Sequence, residues 1–371
     1  MTEIRTFRNA DLPGLLNVWI QHWSAVGQSP AVSVPMIEQS ILSRTFFQAE
    51  HLLVAHSAGK VEAWAHFLPA IPNAGSQVPT RADVHEIAVQ ENAGPEIAGP
   101  ETPGREMNGS THAGSDSPAS VADLPGDVSH EDAILTAVCF DPEGGLKICD
   151  ELLARVEQAA LQAGHRQFLT GPLRDDICGY AGLAPVGHGI GIPSCDTRLT
   201  SLLSRRGYVP ERTTVSMSVA SNTYRPPVNR ESLQLRRSTR VESFQVYPRS
   251  AHQASAMAHL NMERHQLIEH RTGTVLAETG LWTSDPEAQV MDCSRGILDL
   301  SVPVRPPSDR TPADTLAESY LIGHVIQSSP NRRIFEIETS VDQDDTLRMS
   351  QLGDLKFSPT RQGQSWKKQL I

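Results

Sequence analysis

Residues 133–172, AILTAVCFDPEGGLKICDELLARVEQAALQAGHRQFLTGP, constrain this chain more than any other stretch. Residues 133–140 are an almost unbroken apolar run of strand length, the pattern of a strand buried on both faces. Asp141-Pro142-Glu143-Gly144-Gly145 breaks the run with turn formers. Cys149, Leu152, Leu153, Val156, Ala159, Ala160 and Ala163 then fall on one face of a 3.6-residue period. Gly164 caps that helix, and Gln167–Thr170 returns as a strand. A strand that enters a helix through a glycine turn offers free backbone N–H groups at the positive end of the helix dipole. Such a turn suits an anion.

The flanking sequence extends this unit in both directions. Upstream, residues 3–7 read as a strand. Asp11-Leu12-Pro13 starts a helix with Leu12, Leu15, Leu16, Trp19 and Trp23 on one face, and residues 35–47 give a second helix. Residues 51–56 and 61–67 form a hairpin around Ser57-Ala58-Gly59-Lys60. Downstream, Asp196 caps a helix over 197–206, Gly207-Tyr208 closes it, and 213–219 alternates as a strand. This order resembles the GNAT superfamily of N-acetyltransferases over about residues 1–220. The segment LLSRRGYVPERTTVSMSV, which is similar to the family's closing segment, is the more specific part of the match.

From Ser232 the pattern starts again. A strand at 244–247 leads to a helix over 250–263, and QLIEHRTGTVLAETGLW is a hairpin turning at Arg271-Thr272-Gly273. GILDLSV (296–302) is a core strand, 315–327 a helix, and IFEIET (334–339) the strand after it. Asp342-Gln343-Asp344-Asp345 opens a short helix ending near Gly353. In both halves the core strand and the strand after its helix start about 35 residues apart, an internal repeat. Two GNAT-like domains in one chain resemble the tandem relatives of mycothiol synthase. The expected fold is therefore α/β (α+β), with domains at 1–222 and 232–371, a linker at 223–231, and a twisted mixed sheet in each half.

Composition bears on one further segment. Residues 83–132 hold eleven Asp and Glu against Arg105 alone, a balance of −10 within a chain total of −11. Residues 74–131, rich in Gly, Pro, Ser, Ala and acid, cannot bury enough apolar surface to offset their ordering entropy and are expected to be a disordered insertion. The rest of the chain is near neutral, with no basic stripe for nucleic acid. No apolar run approaches the roughly 20 residues that span a bilayer, and MTEIRTFRNADLPG lacks a signal-peptide pattern. The five cysteines form no CxxC pair and the histidines show no HxxxH or HxH spacing. A cytoplasmic chain with free thiols and no metal is the expectation.

The resemblance implies an acyl-CoA-dependent N-acyltransferase, with acetyl-CoA as donor and a primary amine of a small molecule or peptide as acceptor. It implies that the backbone of Val138 and Phe140, and of Leu300 and Val302, meets the pantetheine, where the core strands splay. It places the pyrophosphate at Gly144, Gly145, Leu146 and Lys147 in the first half and at Thr315, Leu316 and Ala317 in the second. The family's Q/R-x-x-G-x-G/A turn is displaced here. Gly144 stands at the Q/R place, Lys147 and Cys149 at the glycines, and Pro312 at the Q/R place of the second half. The thiolate-protonating Tyr is replaced by Leu203 in the first half, and by Leu352 or Ser350 in the second. Tyr180, in the 179–185 loop, is a stand-in donor, and Asp299 on the second core strand is the catalytic carboxylate candidate. The same degenerate turns admit another reading, a catalytically inactive GNAT-fold protein that senses CoA or binds a partner.

Overall fold

The first half is built around β4 (Asp132–Phe140). Its side chains alternate between two cores, which is why the run is so uniformly apolar. Val138 and Phe140 pack with Leu152, Leu153 and Val156, whereas Ala137 and Cys139 pack with Trp19, Trp23 and Trp64. The one polar position inside the run, Thr136, donates its hydroxyl to His66 O at 2.8 Å. Helix α1 (Leu12–Ala25) covers the tryptophan side, followed by α2 (Val34–Ile37), which widens into a π turn at Glu38–Leu42. Helix α3 (Gly145–Gln162) covers the other side. A Cβ on Gly145 would lie 2.9 Å from Glu62 O, so only glycine lets α3 start this close to the hairpin.

The computed structural model describes residues 2–28, 30–70, 132–174, 179–227, 229–246, 248, 251–300 and 311–370. The expected insertion at 74–131, and Val302, lie outside the described residues. The remaining first-half strands are β1 (Thr2–Thr6), β2 (Leu52–Ser57), β3 (Lys60–Pro69), β5 (Gln167–Thr170), the short β6 (Ile192–Pro193) and β7 (Val209–Ala220), with α4 (Thr197–Arg205) before β7. The second half runs α5 (Arg230–Ser238), β8 (Thr239–Gln245), α6 (Ala251–Ala256), β9 (Leu260–Glu269), β10 (Val275–Ser284) and β11 (Arg295–Asp299). It ends with α7 (Pro312–Ser328), β12 (Glu336–Asp342), α8 (Thr346–Asp354) and β13 (Ser358–Gln369).

Among the described residues these strands form one 13-stranded sheet, twelve of them in the order β1-β2-β3-β4-β5-β13-β7-β12-β11-β10-β9-β8, with β6 pairing β13 off this path. Each half keeps its own helices, core and mixed set of strands, as expected of a tandem fold, and the two sets are continuous through an exchange of closing strands. The last strand of the second half, β13, pairs with β5, and the last strand of the first half, β7, pairs with β12. The two closing strands pair with each other antiparallel. Trp366 and Leu370 are therefore buried in the first-half core, and Val215, Met217, Val219 and Tyr224 in the second-half core. At about 1.5–3 kcal/mol per buried large apolar side chain, neither core is complete without the other half's strand.

One local expectation changes, and two elements were not read from the sequence. The helix over 250–263 shrinks to α6, because Leu260 and Met262 join β9 against β10. Helix α5 has no buried residue to mark it and is held by an Asn229–Ser232 capping box. β13, SPTRQGQSWKKQ, is polar along most of its length yet central in the sheet. One of its faces meets the polar lining described below, so its pattern carries no hydrophobic alternation.

Candidate functional site

Each half has an opening where its core strand parts from the next parallel strand, and the two openings are filled differently. In the first half, β4 and β5 pair only from Asp132↔Gln167 to Leu135↔Thr170, with Gly171 N donating to Leu135 O at 3.0 Å as a last rung. β4 continues to Phe140 while still pairing with β3 on its other edge. Asp141 N donates to Glu62 O on the β3 side, and Phe140 N donates away from β3, to His22 Nδ1 at 3.4 Å. Ladder alternation then turns the backbone groups of both Val138 and Phe140 toward the opening.

That opening is plugged. His22 Nε2 lies 2.9 Å from Asp196 Oδ2, and both side chains are fully buried. Because Phe140 N–H is a donor, Nδ1 is the ring's acceptor, and Nε2 carries the proton that Asp196 accepts. Asp196 Oδ1 accepts from Leu199 N at 3.1 Å and so caps α4. α1 and α4 lie on opposite faces of the sheet, so the His22–Asp196 pair threads the gap beside β4. The turn that follows is partly filled from within. Asp141 accepts from Glu143 N at 2.9 Å and from Lys60 Nζ at 2.8 Å. Lys60, followed by the Glu143 N–H, holds its carboxyl below the usual carboxylate range. Gly144, Leu146 and Lys147 are exposed, and the N–H groups of Leu146 and Lys147 belong to the first helical turn, where no intrahelical acceptor exists.

In the second half, β11 and β12 pair only from Arg295↔Glu336 to Ile297↔Glu338. Thr339 Oγ1 donates to Leu298 O at 2.9 Å across the parting strands, while Thr279 Oγ1 donates to Asp299 O at 3.2 Å from β10. The backbone of Leu300 therefore faces the opening, as that of Val138 does in the first half. The sheet face opposite α7 is polar here. Arg264, Gly280 and Asp299 stand in one cross-strand row, with Gln266 and Glu278 paired in the next. Asp299 lies over Gly280, where a Cβ would meet its own Cβ at 2.9 Å. Glu278 accepts from Arg264 Nη1 at 3.5 Å and, in a short contact, from Gln266 Nε2. Arg264 Nε is buried and has no partner.

The same face continues across the exchanged strands. Glu338 meets Arg174 Nη2 at 3.4 Å and Arg361 Nη1 at 3.9 Å, and Arg174 Nε donates to Ser340 Oγ at 3.3 Å. Burial alone would raise the Glu338 carboxyl; contact with His188 and the charges of Arg174 and Arg361 outweigh it and hold it at about 2. Burial lowers His188, whose Nδ1 lies 3.3 Å from Arg361 Nη1 and 3.7 Å from Glu338 Oε1.

The sequence-derived site residues are dispersed accordingly. Tyr180 is 2% exposed, stacks on Trp19 and bonds His66 Nδ1 at 2.9 Å, inside the first-half core. α7 begins earlier than the spacing predicts, at Pro312, because Thr311 and Asp314 form a capping box. Thr315 N is consequently bonded to Thr311 O, and Thr315, Leu316 and Ala317 lie within the helix instead of presenting free N–H groups. Asp299 is where the spacing places it, on β11 beside the opening. Arg264, Gln266, Glu278, Glu338 and the His22–Asp196 pairing were missed. Glu278 had a signal, a carboxylate set between apolar residues of a hairpin strand. Among the described residues, no group of His, Cys, Asp or Glu is arranged to hold a metal, and no helix is long and apolar enough to cross a membrane.

No family model matches the sequence, and no curated protein matches it. Solved structures do. A tandem GNAT protein from the clavulanic acid biosynthesis pathway aligns over 100% of this chain and 99% of its own, at 9% identity and a TM-score of 0.58. A GCN5-related N-acetyltransferase from Sphaerobacter thermophilus aligns over 100% and 96%, at 12% identity and 0.55. A GCN5-related glucosamine N-acetyltransferase region of a fungal multi-domain GH3 beta-N-acetylglucosaminidase aligns over 99% of this chain and 38% of its own, at 10% and 0.62. The chain has the tandem GNAT fold.

Proposed function

We propose that this chain is an acyl-CoA-dependent N-acyltransferase that moves an acetyl group from acetyl-CoA to a primary amine of a small molecule or peptide. The observation that carries the reading is the placement of Asp299, on the core strand at the opening of a GNAT fold, in a buried row with Arg264. In this reading the transfer takes place in the second half, with the donor thioester alongside Leu300 and the acceptor on the polar face. Asp299 takes one proton from the ammonium, and the neutral amine nitrogen then attacks the thioester carbonyl carbon. The C–N bond forms, the C–S bond breaks with its electron pair going to sulfur, the Asp299 carboxyl returns its proton to the departing thiolate, and the amide nitrogen releases its remaining extra proton to solvent. Glu278 and Gln266 hold the neighbouring charge in place.

A second reading places the donor in the first half, at Val138, Phe140, Gly144, Gly145, Leu146 and Lys147. It is favoured by the exposed first-turn N–H groups of Leu146 and Lys147 and opposed by the His22–Asp196 plug. The test is release of free thiol from acetyl-CoA with a panel of amines, alongside calorimetric binding of acetyl-CoA. Amine-dependent release that is lost in Asp299→Asn supports the proposal. Binding without release for any amine would leave a CoA-sensing protein, and no binding at all would sink both readings.

A further inference from the structure

The polar face beside the second-half opening holds a cation whose surroundings satisfy only part of it. Arg264 is 9% exposed; among the described residues its one side-chain hydrogen bond is the 3.5 Å bond from Nη1 to Glu278, and its Nε is buried without a partner. A guanidinium presents five N–H donors in a fixed fork, and buried ones are ordinarily matched donor for acceptor. Glu278 does not supply the match: Arg264 reaches only its Oε2, through Nη1, while its Oε1 accepts from Gln266. Arg264 is in register with Gly280, and the next residue in that row is Asp299. The two backbones are two strand spacings apart, about 10 Å. The residue between them has no side chain and the Asp299 side chain leans over it, so the cation and the anion share one cross-strand row with no other side chain between them.

We propose that Arg264 is a carboxylate socket, and that the amine acylated at Asp299 belongs to a free amino acid or a small molecule with a nearby carboxylate. The proposal rests on the acyl-transfer reading above and names its substrate class. The acceptor's carboxylate receives the Nε–H and the adjacent N–H of Arg264 as a bidentate fork, and its ammonium lies against Asp299. A diamine would set its second cation against Arg264 and is disfavoured. A long peptide would leave the socket empty, since its carboxylate is far from its amino terminus.

Matched acceptor pairs test this: lysine with cadaverine, ornithine with putrescine, phenylalanine with phenethylamine, glycine with methylamine. Thiol release from acetyl-CoA should favour the carboxylate-bearing member of at least one pair by tenfold or more in kcat/KM. Arg264→Met should erase that preference, chiefly through KM, and Arg264→Lys should restore part of it. Equal or better turnover of the decarboxylated partners, or a preference that survives Arg264→Met, overturns the socket. Because Arg264→Met leaves Glu278 buried without its partner, the double variant Arg264→Met with Glu278→Gln is made as well, and melting curves confirm that each variant folds. If no amine gives thiol release, the acyl-transfer reading has failed separately. The socket is then judged by thermal shift with the same amino acids alone. A rise in melting temperature that Arg264→Met abolishes supports it, and no rise with any of them rejects it.

Discussion

The two openings occupy equivalent places in the two halves and are lined differently. Beside β4 the gap is filled by His22 and Asp196, which satisfy each other, the Phe140 N–H and the Leu199 N–H. Beside β11 the gap borders a face where Arg264 keeps a buried donor without an acceptor. A satisfied plug stabilises the fold and leaves nothing to bind. An unsatisfied buried cation costs stability until something meets it, which is how functional sites differ from scaffold. A fold present twice can thus close one copy for support and keep the other polar for chemistry, and the exchanged strands make each copy depend on its twin.

The comparison can be broken most severely by removing the strand that ties the halves together. A chain ending at residue 357 lacks β13, with Trp366 from the first-half core and the edge that β5 and β7 pair with. We expect no cooperative thermal transition for the first half, and rapid proteolysis of it. A truncated chain that melts cooperatively at the full-length temperature would mean the halves are independent.

Next in size is the plug. His22→Ala leaves Asp196 buried without its ring partner and should lower unfolding free energy by about 3–5 kcal/mol in denaturant titrations. A loss below about 1 kcal/mol would show that the pair does not hold the opening shut.

On the other side of the comparison, Asp299→Asn should reduce kcat for thiol release by about 10²–10³-fold with acetyl-CoA affinity little changed. Wild-type turnover in this variant would remove the second-half opening from the reaction.

Acid should act on both sides. Burial holds His66 in the first half down at about 3, and His259 in the second at about 4. The unfolded chain, with ordinary histidines near 6.5, binds more protons below that pH, so stability falls as pH drops from about 6.5 towards 3. Glu338, held at about 2, adds a further loss as pH falls from about 4.5 towards 2. Between pH 7 and 5, His66 alone accounts for about 2 kcal/mol, and His66→Gln should flatten that limb in chemical denaturation. A flat stability profile down to pH 4 would contradict the neutral burial of these rings.

The smallest effect sharpens the assignment of the donor. Lys147 is exposed at the first turn of α3 and has no ion-pair partner among the described residues. With acetyl-CoA in the second half, Lys147→Glu should change its affinity by less than about twofold, as an exposed charge remote from a ligand does. A tenfold weakening by calorimetry would move the donor to the first half.

The sequence by itself determined the elements that carry a period. The apolar run at 133–140 and the helical stripe from Cys149 to Ala160 specify a doubly buried strand and its covering helix, because side chains that must leave water leave a repeat in the sequence. Asp299 was singled out through the family resemblance, as a polar residue on the second core strand. What only the tertiary structure decided is which strand pairs with which, since hydrogen bonds between strands use backbone groups common to every residue. The exchange of β7 and β13, the threading of His22 to Asp196 across 174 positions of sequence, and the meeting of Arg174 with Glu338 all arise that way. No local pattern records them, because each partner is polar for a reason located on another strand.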